Sequence, residues 1–163
     1  MFRTPASMIL ALLVVAVTGA SAHATTTTEW DWPVAIPHPI IRPYIAPETA
    51  YSAGHRGIDI GAGTTTEVRA PSAGVVHFAG VVVDRPVLSL RHPGGLITSY
   101  EPVTTTLARG DSVQQGEVIG ELKPGHCSVA CIHFGVRLDG EYVSPLNYLG
   151  AIPRAILLPT RKP

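Results

Sequence analysis

The 163-residue chain carries 12 lysines and arginines against 12 aspartates and glutamates, a formal net charge of zero. That balance excludes the basic footprint of a nucleic-acid binder and the polybasic patch of a membrane-surface protein. Sixteen glycines and fifteen prolines interrupt an apolar complement rich in Val, Ile, Leu and Ala, which excludes long helices and points to β structure with many turns.

In chain order, the first predicted element is a leader. Arg3 supplies a weakly positive start, the stretch 8–17 is an unbroken apolar run, and Ala22-His23-Ala24 is an A-x-A cleavage site. Residues 1–24 therefore read as a secretory signal peptide, with the mature chain starting at Thr25. The run is too short for a bilayer span, which takes about 20 apolar residues. No cysteine follows it closely, which argues against a lipid-modified start. The mature chain is one domain by length, and its expected place is secreted, outside the cytoplasm, in the cell envelope.

Residues 25–54 form a proline-rich extended segment. Pro33, Pro37, Pro39, Pro43 and Pro47 forbid a helix and favour chain lying against a surface, with Trp30 and Trp32 packed on the domain. Short strands separated by Gly or Pro follow, predicted over 57–61, 66–70, 74–84 with a bend at Gly80, 87–91, 96–103, 117–122, 132–138 and 141–143. The turn His92-Pro93-Gly94-Gly95 joins two of them and places His92 at the surface. Asp139-Gly140 is a type I′ hairpin signal. Residues 145–149 read as one helical turn capped by Ser144 and stopped by Gly150, and 151–163 as a C-terminal tail.

Two segments carry chemistry. His55 and Asp59 are four apart, so an extended chain puts both on one face; Cys131 and His133, two apart on a strand, also share one. An imidazole and a carboxylate facing a second imidazole are enough to hold a zinc ion. Three protein ligands leave a fourth position for water, the catalytic arrangement rather than the closed structural one. Cys127 and Cys131 pair as a disulfide if the chain is exported, closing a very short loop; the alternative is a Cys131 thiolate on the metal. His126, beside Cys127, is within reach of the same cleft. Arg56 either faces the cleft to bind a substrate carboxylate or is a surface charge.

These residues sit in four blocks: GHRGIDI at 54–60, VRAPSAGVVHFAG at 68–80, GDSVQQGEVIG at 110–120 and CIHFGVRLDGEYVSPLNYL at 131–149. On their order and spacing the chain resembles the lysostaphin-type (LytM-like) zinc metallopeptidases, which cleave cross-linking peptides of bacterial peptidoglycan. The resemblance implies a mainly β domain over 55–150. Its core would be a largely antiparallel β-sheet of duplicated-hybrid, barrel-sandwich-like form with a zinc groove. The groove walls would come from the 62–66 loop, the 92–95 turn and the 126–130 loop. It implies Zn2+ as cofactor, held by His55, Asp59 and His133 in the family's H-x-x-x-D and H-x-H patterns. The first histidine of H-x-H, catalytic in the family, is Cys131 here. A second catalytic histidine follows a tyrosine in the family; here Tyr100 is followed by Glu101, which becomes the candidate base. Arg56 and His126 are the candidate substrate-binding residues.

The function implied is an exported endopeptidase cutting peptide cross-links of the cell wall, slow or specialised. The alternative is a degenerate member that binds peptidoglycan or regulates a partner cell-wall hydrolase without cutting. Expected partners are peptide stems or cross-bridges and such a hydrolase, with no nucleic acid and no membrane span after leader removal. The chain is expected to be a monomer.

Overall fold

The computed structural model describes residues 29–49 and 51–150. The predicted leader, its cleavage site and the 151–163 tail lie outside the described residues. Eleven strands form among them: β1 (Ile40–Arg42), β2 (Ile58–Gly61), β3 (Glu67–Arg69), β4 (Gly74–Val82), β5 (Arg85–Arg91), β6 (Leu96–Glu101), β7 (Val103–Thr104), β8 (Ser112–Val113), β9 (Val118–Leu122), β10 (Cys131–Leu138) and β11 (Glu141–Val143). The main sheet runs β1-β2-β10-β6-β5-β4-β8, with β11 paired to β10. A second sheet runs β3-β9-β7. Every pairing is antiparallel, so the mainly antiparallel β expectation is borne out.

Strand alternation places the core. Along β10, Ile132, Phe134 and Val136 are fully buried, while His133, Gly135 and Arg137 fall on the other face. Ile58 and Ile60 of β2, Tyr100 of β6, and Leu88 and Leu90 of β5 join the same apolar cluster. Val68, Val103, Ile119 and Leu122 bring the small sheet into it, and Trp30 and Val34 close it from the N-terminal segment. The opposite face of the main sheet is thereby free to carry polar chemistry.

Three local outcomes differ from the sequence expectations. The run 96–103 is not one strand. Pro102 has no N–H to continue the ladder, so β6 ends at Glu101 and β7 starts the other sheet at Val103. Strand β4 carries its irregularity between Val76 and Phe78 rather than at Gly80. His92 is buried, not at the surface. Its ring lies 4.9 Å from that of Trp30; Nδ1–H donates to the Ala73 carbonyl at 2.9 Å, and Nε2 faces the Thr98 hydroxyl at 2.8 Å, which also pairs with the Tyr100 hydroxyl at 2.8 Å. The Asp139-Gly140 turn is as expected, with both φ values positive.

Burial holds the His92 imidazole below its ordinary pKa, more than the bond to Ala73 raises it. A folded pKa below the unfolded one means that the unfolded chain binds the extra proton. Stability is therefore expected to fall as pH drops below about 6.5, the ordinary imidazole value. Urea midpoints of the chelator-treated chain at pH 8 and pH 5 check this, with His92→Gln reducing the difference.

Candidate metal centre

The register of three strands sets the site. On the outer face His133 of β10 lies opposite Asp59 of β2 on one side and Glu101 of β6 on the other. A row of carboxylate, imidazole and carboxylate thus crosses the middle of the main sheet. His55 precedes β2 and is held by a two-way backbone bridge with Ile45: its N–H donates to the Ile45 carbonyl at 2.8 Å, and the Ile45 N–H donates back at 3.0 Å. The proline-rich segment therefore lies against the site as well as the surface.

His55 and Asp59 do not share a face through strand alternation, because the chain bends at Arg56 and Gly57 before β2 begins. The bend brings Gly57 over the His133 ring. A Cβ at Gly57 would lie 2.5 Å from the Phe134 carbonyl oxygen and 2.7 Å from His133 Nε2, so glycine is required by close approach.

The functional atoms converge. His133 Nδ1 is 2.8 Å and His55 Nε2 3.1 Å from Asp59 Oδ1, and the two histidine nitrogens are 3.1 Å apart. His55 Nδ1–H donates to the Pro43 carbonyl at 2.7 Å, which leaves Nε2 with its lone pair turned inward. This tautomer lock has no sequence motif, and Pro43 was legible only as a helix breaker. His55 and Asp59 are buried. Burial alone would raise the Asp59 pKa, but hydrogen bonds from His133 and His126 and the charge of His55 outweigh it and keep the carboxylate low. Burial lowers the His133 pKa by more than its bond to Asp59 raises it. A carboxylate and imidazole lone pairs are the donors that a borderline divalent cation takes. Their separations approach the roughly 3.3 Å edge of a tetrahedron with 2.0–2.1 Å bonds, so the residues present fit a zinc-sized ion.

The remaining expected residues divide. Cys131 is bonded to Cys127 with Cα atoms 5.9 Å apart, so neither sulfur is a thiolate in the structure. Cys127 lies within ligand range of Asp59 and His126, but its bonded sulfur removes it as a ligand. His126, from the loop before β10, reaches the cluster, with Nε2 3.0 Å from Asp59 Oδ1. Glu101 Oε1 accepts from Arg85 Nη1 at 2.7 Å. Arg85 opens β5 at the β4–β5 hairpin and was not singled out from sequence; only the register of β5 on β6 brings it near. Arg56 Nη2 donates to the Ser52 carbonyl at 3.1 Å, and its guanidinium lies 5.7 Å from the Tyr142 ring centre.

The 92–95 turn does not wall the groove. It sits at the Leu96 end of β6, where Asp139 N–H donates to the Gly95 carbonyl, whereas the site is at the Glu101 end. The wall on that side is the β4–β5 hairpin that carries Arg85. The 126–130 loop does border the site, tied to the neighbouring 62–66 loop by the Ala62 N–H donating to the Ala130 carbonyl at 3.0 Å.

Residues 53–145 match the family model described as Peptidase family M23. An uncharacterized protein of Mycobacterium tuberculosis is 39% identical over 141 residues, 82% of this chain and 56% of that protein. The murein hydrolase activator NlpD of Salmonella dublin is 28% identical over 142 residues, 83% of this chain and 36% of its own. This chain thus spans about half the length, or less, of these relatives. Among solved structures, the SpoIIQ–SpoIIIAH pore-forming complex matches with TM-score 0.64 at 24% identity, covering 74% of this chain and 90% of that one. The catalytic domain of the antimicrobial peptidase lysostaphin from Staphylococcus simulans matches with TM-score 0.58 at 20% identity, covering 69% and 92%. At these identities the two structures establish a shared fold.

Proposed function

This chain belongs to peptidase family M23, and on that premise we propose that it is an exported zinc endopeptidase that cuts peptide cross-links of bacterial peptidoglycan. The observation that carries the reading is the convergence of His55, Asp59 and His133 within 3.1 Å of one another on an open sheet face. In this reading those three residues hold the zinc, residues 1–24 direct export, residues 25–54 brace His55, and 55–150 form the peptidase domain ahead of the 151–163 tail. The chain acts as a monomer in the cell envelope.

A zinc ion held by His55, Asp59 and His133 would supply Lewis-acid polarisation of a scissile carbonyl and activation of water near neutral pH. The chain's own residues do the rest. Pro43 fixes the His55 tautomer, and Asp59 stays ionised. Glu101, next to His133 across the sheet, is the candidate base for the attacking water. Its bond to Arg85 holds it near the site. In this reading a substrate carboxylate would meet the Arg56 guanidinium, which lies 5.7 Å from the Tyr142 ring centre.

Purified peptidoglycan incubated with the zinc-loaded chain, and analysed by mass spectrometry for released peptides, tests the reading. Release that requires zinc is the expected outcome. Glu101→Gln is expected to slow it by about 10²-fold or more, the usual contribution of a general base. Unchanged release in Glu101→Gln removes that role.

A second reading is favoured by two positions. Cys131 is locked in a disulfide and Glu101 is paired with Arg85, where the family pattern has histidines. A member that binds wall peptide or activates a partner hydrolase would retain the fold and lose those groups. The relative named as a murein hydrolase activator supports this alternative. Zinc-loaded, folded chain that binds peptidoglycan and releases nothing is its expected signature.

A further inference from the structure

Four side chains meet at the cluster, and the three-ligand reading leaves one of them without a task. His126 Nε2 is 3.0 Å from Asp59 Oδ1, the oxygen already facing His55 and His133. His126 is not a further corner of the triangle of His55, Asp59 and His133; its own close set is Asp59 and Cys127, and the disulfide removes Cys127 as a ligand. His126 Nδ1 is buried with no hydrogen-bond partner and lies 3.8 Å from Glu101 Oε1. A buried ring nitrogen without a partner is uncommon enough to need a reason.

Exposure supplies the direction of approach. The side chains of His55 and Asp59 are each 6% exposed, whereas those of His126, His133 and Glu101 are 16%, 19% and 26%. Among these side chains, His126, His133 and Glu101 form the more exposed edge of the cluster. The loop that carries His126 is short and held at both ends. Cys127 is bonded to Cys131 at the start of β10, two residues before His133, and the Ala130 carbonyl accepts from Ala62.

We propose that His126, held over the cluster by the Cys127–Cys131 disulfide, is the catalytic imidazole of this chain. With Nε2–H given to Asp59, it presents Nδ1, carrying a second ring proton in the reacting state, to the oxygen of the scissile carbonyl as negative charge develops there. The disulfide is its positioning device, so one pair of residues removes a reactive thiol and supplies an imidazole in its place. The inference rests on the peptidase reading.

The test compares wild type, His126→Ala, His126→Gln and Cys127→Ser/Cys131→Ser, all zinc-loaded. Removal of a donor to a developing oxyanion costs about 10²–10³ in rate, so His126→Ala is expected to slow peptide release by that factor while zinc content is unchanged. Gln, which keeps an N–H donor, recovers part of the loss. The double serine variant falls to the His126→Ala level and costs nothing further when combined with it. Affinity for acetohydroxamate is a second readout and needs no turnover: His126→Ala is expected to weaken it by about tenfold or more.

Release and hydroxamate affinity both unchanged in His126→Ala overturn the proposal, as does zinc lost with His126, which would make it a ligand. If wild type releases nothing, the peptidase reading fails, and the hydroxamate comparison alone decides whether His126 is a donor at the site.

Discussion

His55→Ala is expected to abolish zinc-dependent peptide release and to weaken zinc binding by more than about 100-fold, since even an outer partner of a metal ligand is worth about 10–100-fold. His55 is one of three converging donors, it is buried, and its Nε2 is turned inward by the Pro43 carbonyl. Alanine removes the lone pair and leaves the Pro43 acceptor unpaired. The backbone bridge to Ile45 remains, so the proline-rich segment stays in place and the fold should survive. Competition with a zinc-binding dye, beside circular dichroism, separates loss of metal from loss of fold. Retained zinc affinity in a folded His55→Ala chain would show that the metal is held elsewhere.

The largest effect on stability is expected at Phe134. It is fully buried at the centre of β10, the strand that pairs with β2, β6 and β11, and its ring lies 5.4 Å from that of Tyr100. Phe134→Ala should cost about 3–5 kcal/mol through lost transfer energy and the cavity left behind. Typical domains have only about 5–15 kcal/mol in hand, so the metal-free variant should be largely unfolded on warming. Its neighbour His133 projects to the opposite face, so the same change should also loosen the strand that carries this candidate ligand. Zinc should restore part of the melting temperature, because an ion that binds only the folded chain stabilises it by mass action. Thermal melts with chelator and with zinc measure both. Equal melts of Phe134→Ala and wild type would contradict the core assignment.

Much of the architecture was legible because it rests on local rules. Strand breaks follow Gly and Pro, and Asp139-Gly140 adopts the two positive φ values that its hairpin signal demands. Cys127 and Cys131 were expected to pair, and they do. His55, Asp59 and His133 were expected to meet, and they do. The reason given for His55 and Asp59 was incomplete: an extended run would align them, whereas a bend at Arg56 and Gly57, with Gly57 against the His133 ring, brings them together. What escaped were consequences of tertiary register. No local pattern says that Arg85 will reach Glu101, that Pro102 will split a strand between two sheets, or that the turn residue His92 will be enclosed by Trp30, Ala73 and Thr98. The groove wall was misplaced for the same reason. Which end of β6 carries the site depends on its pairing with β10, and not on the proximity of turns in sequence.

The central claim is that His55, Asp59 and His133 together hold zinc and leave a position open, and zinc K-edge X-ray absorption on the purified chain tests it most directly. The account predicts a single zinc per chain. Its shell should hold two imidazole nitrogens at about 2.0–2.1 Å, the Asp59 oxygen and at least one further light atom from solvent, with no sulfur near the roughly 2.3 Å of a thiolate. A zinc-free chain, a sulfur in the shell, or a closed site of protein donors would contradict it.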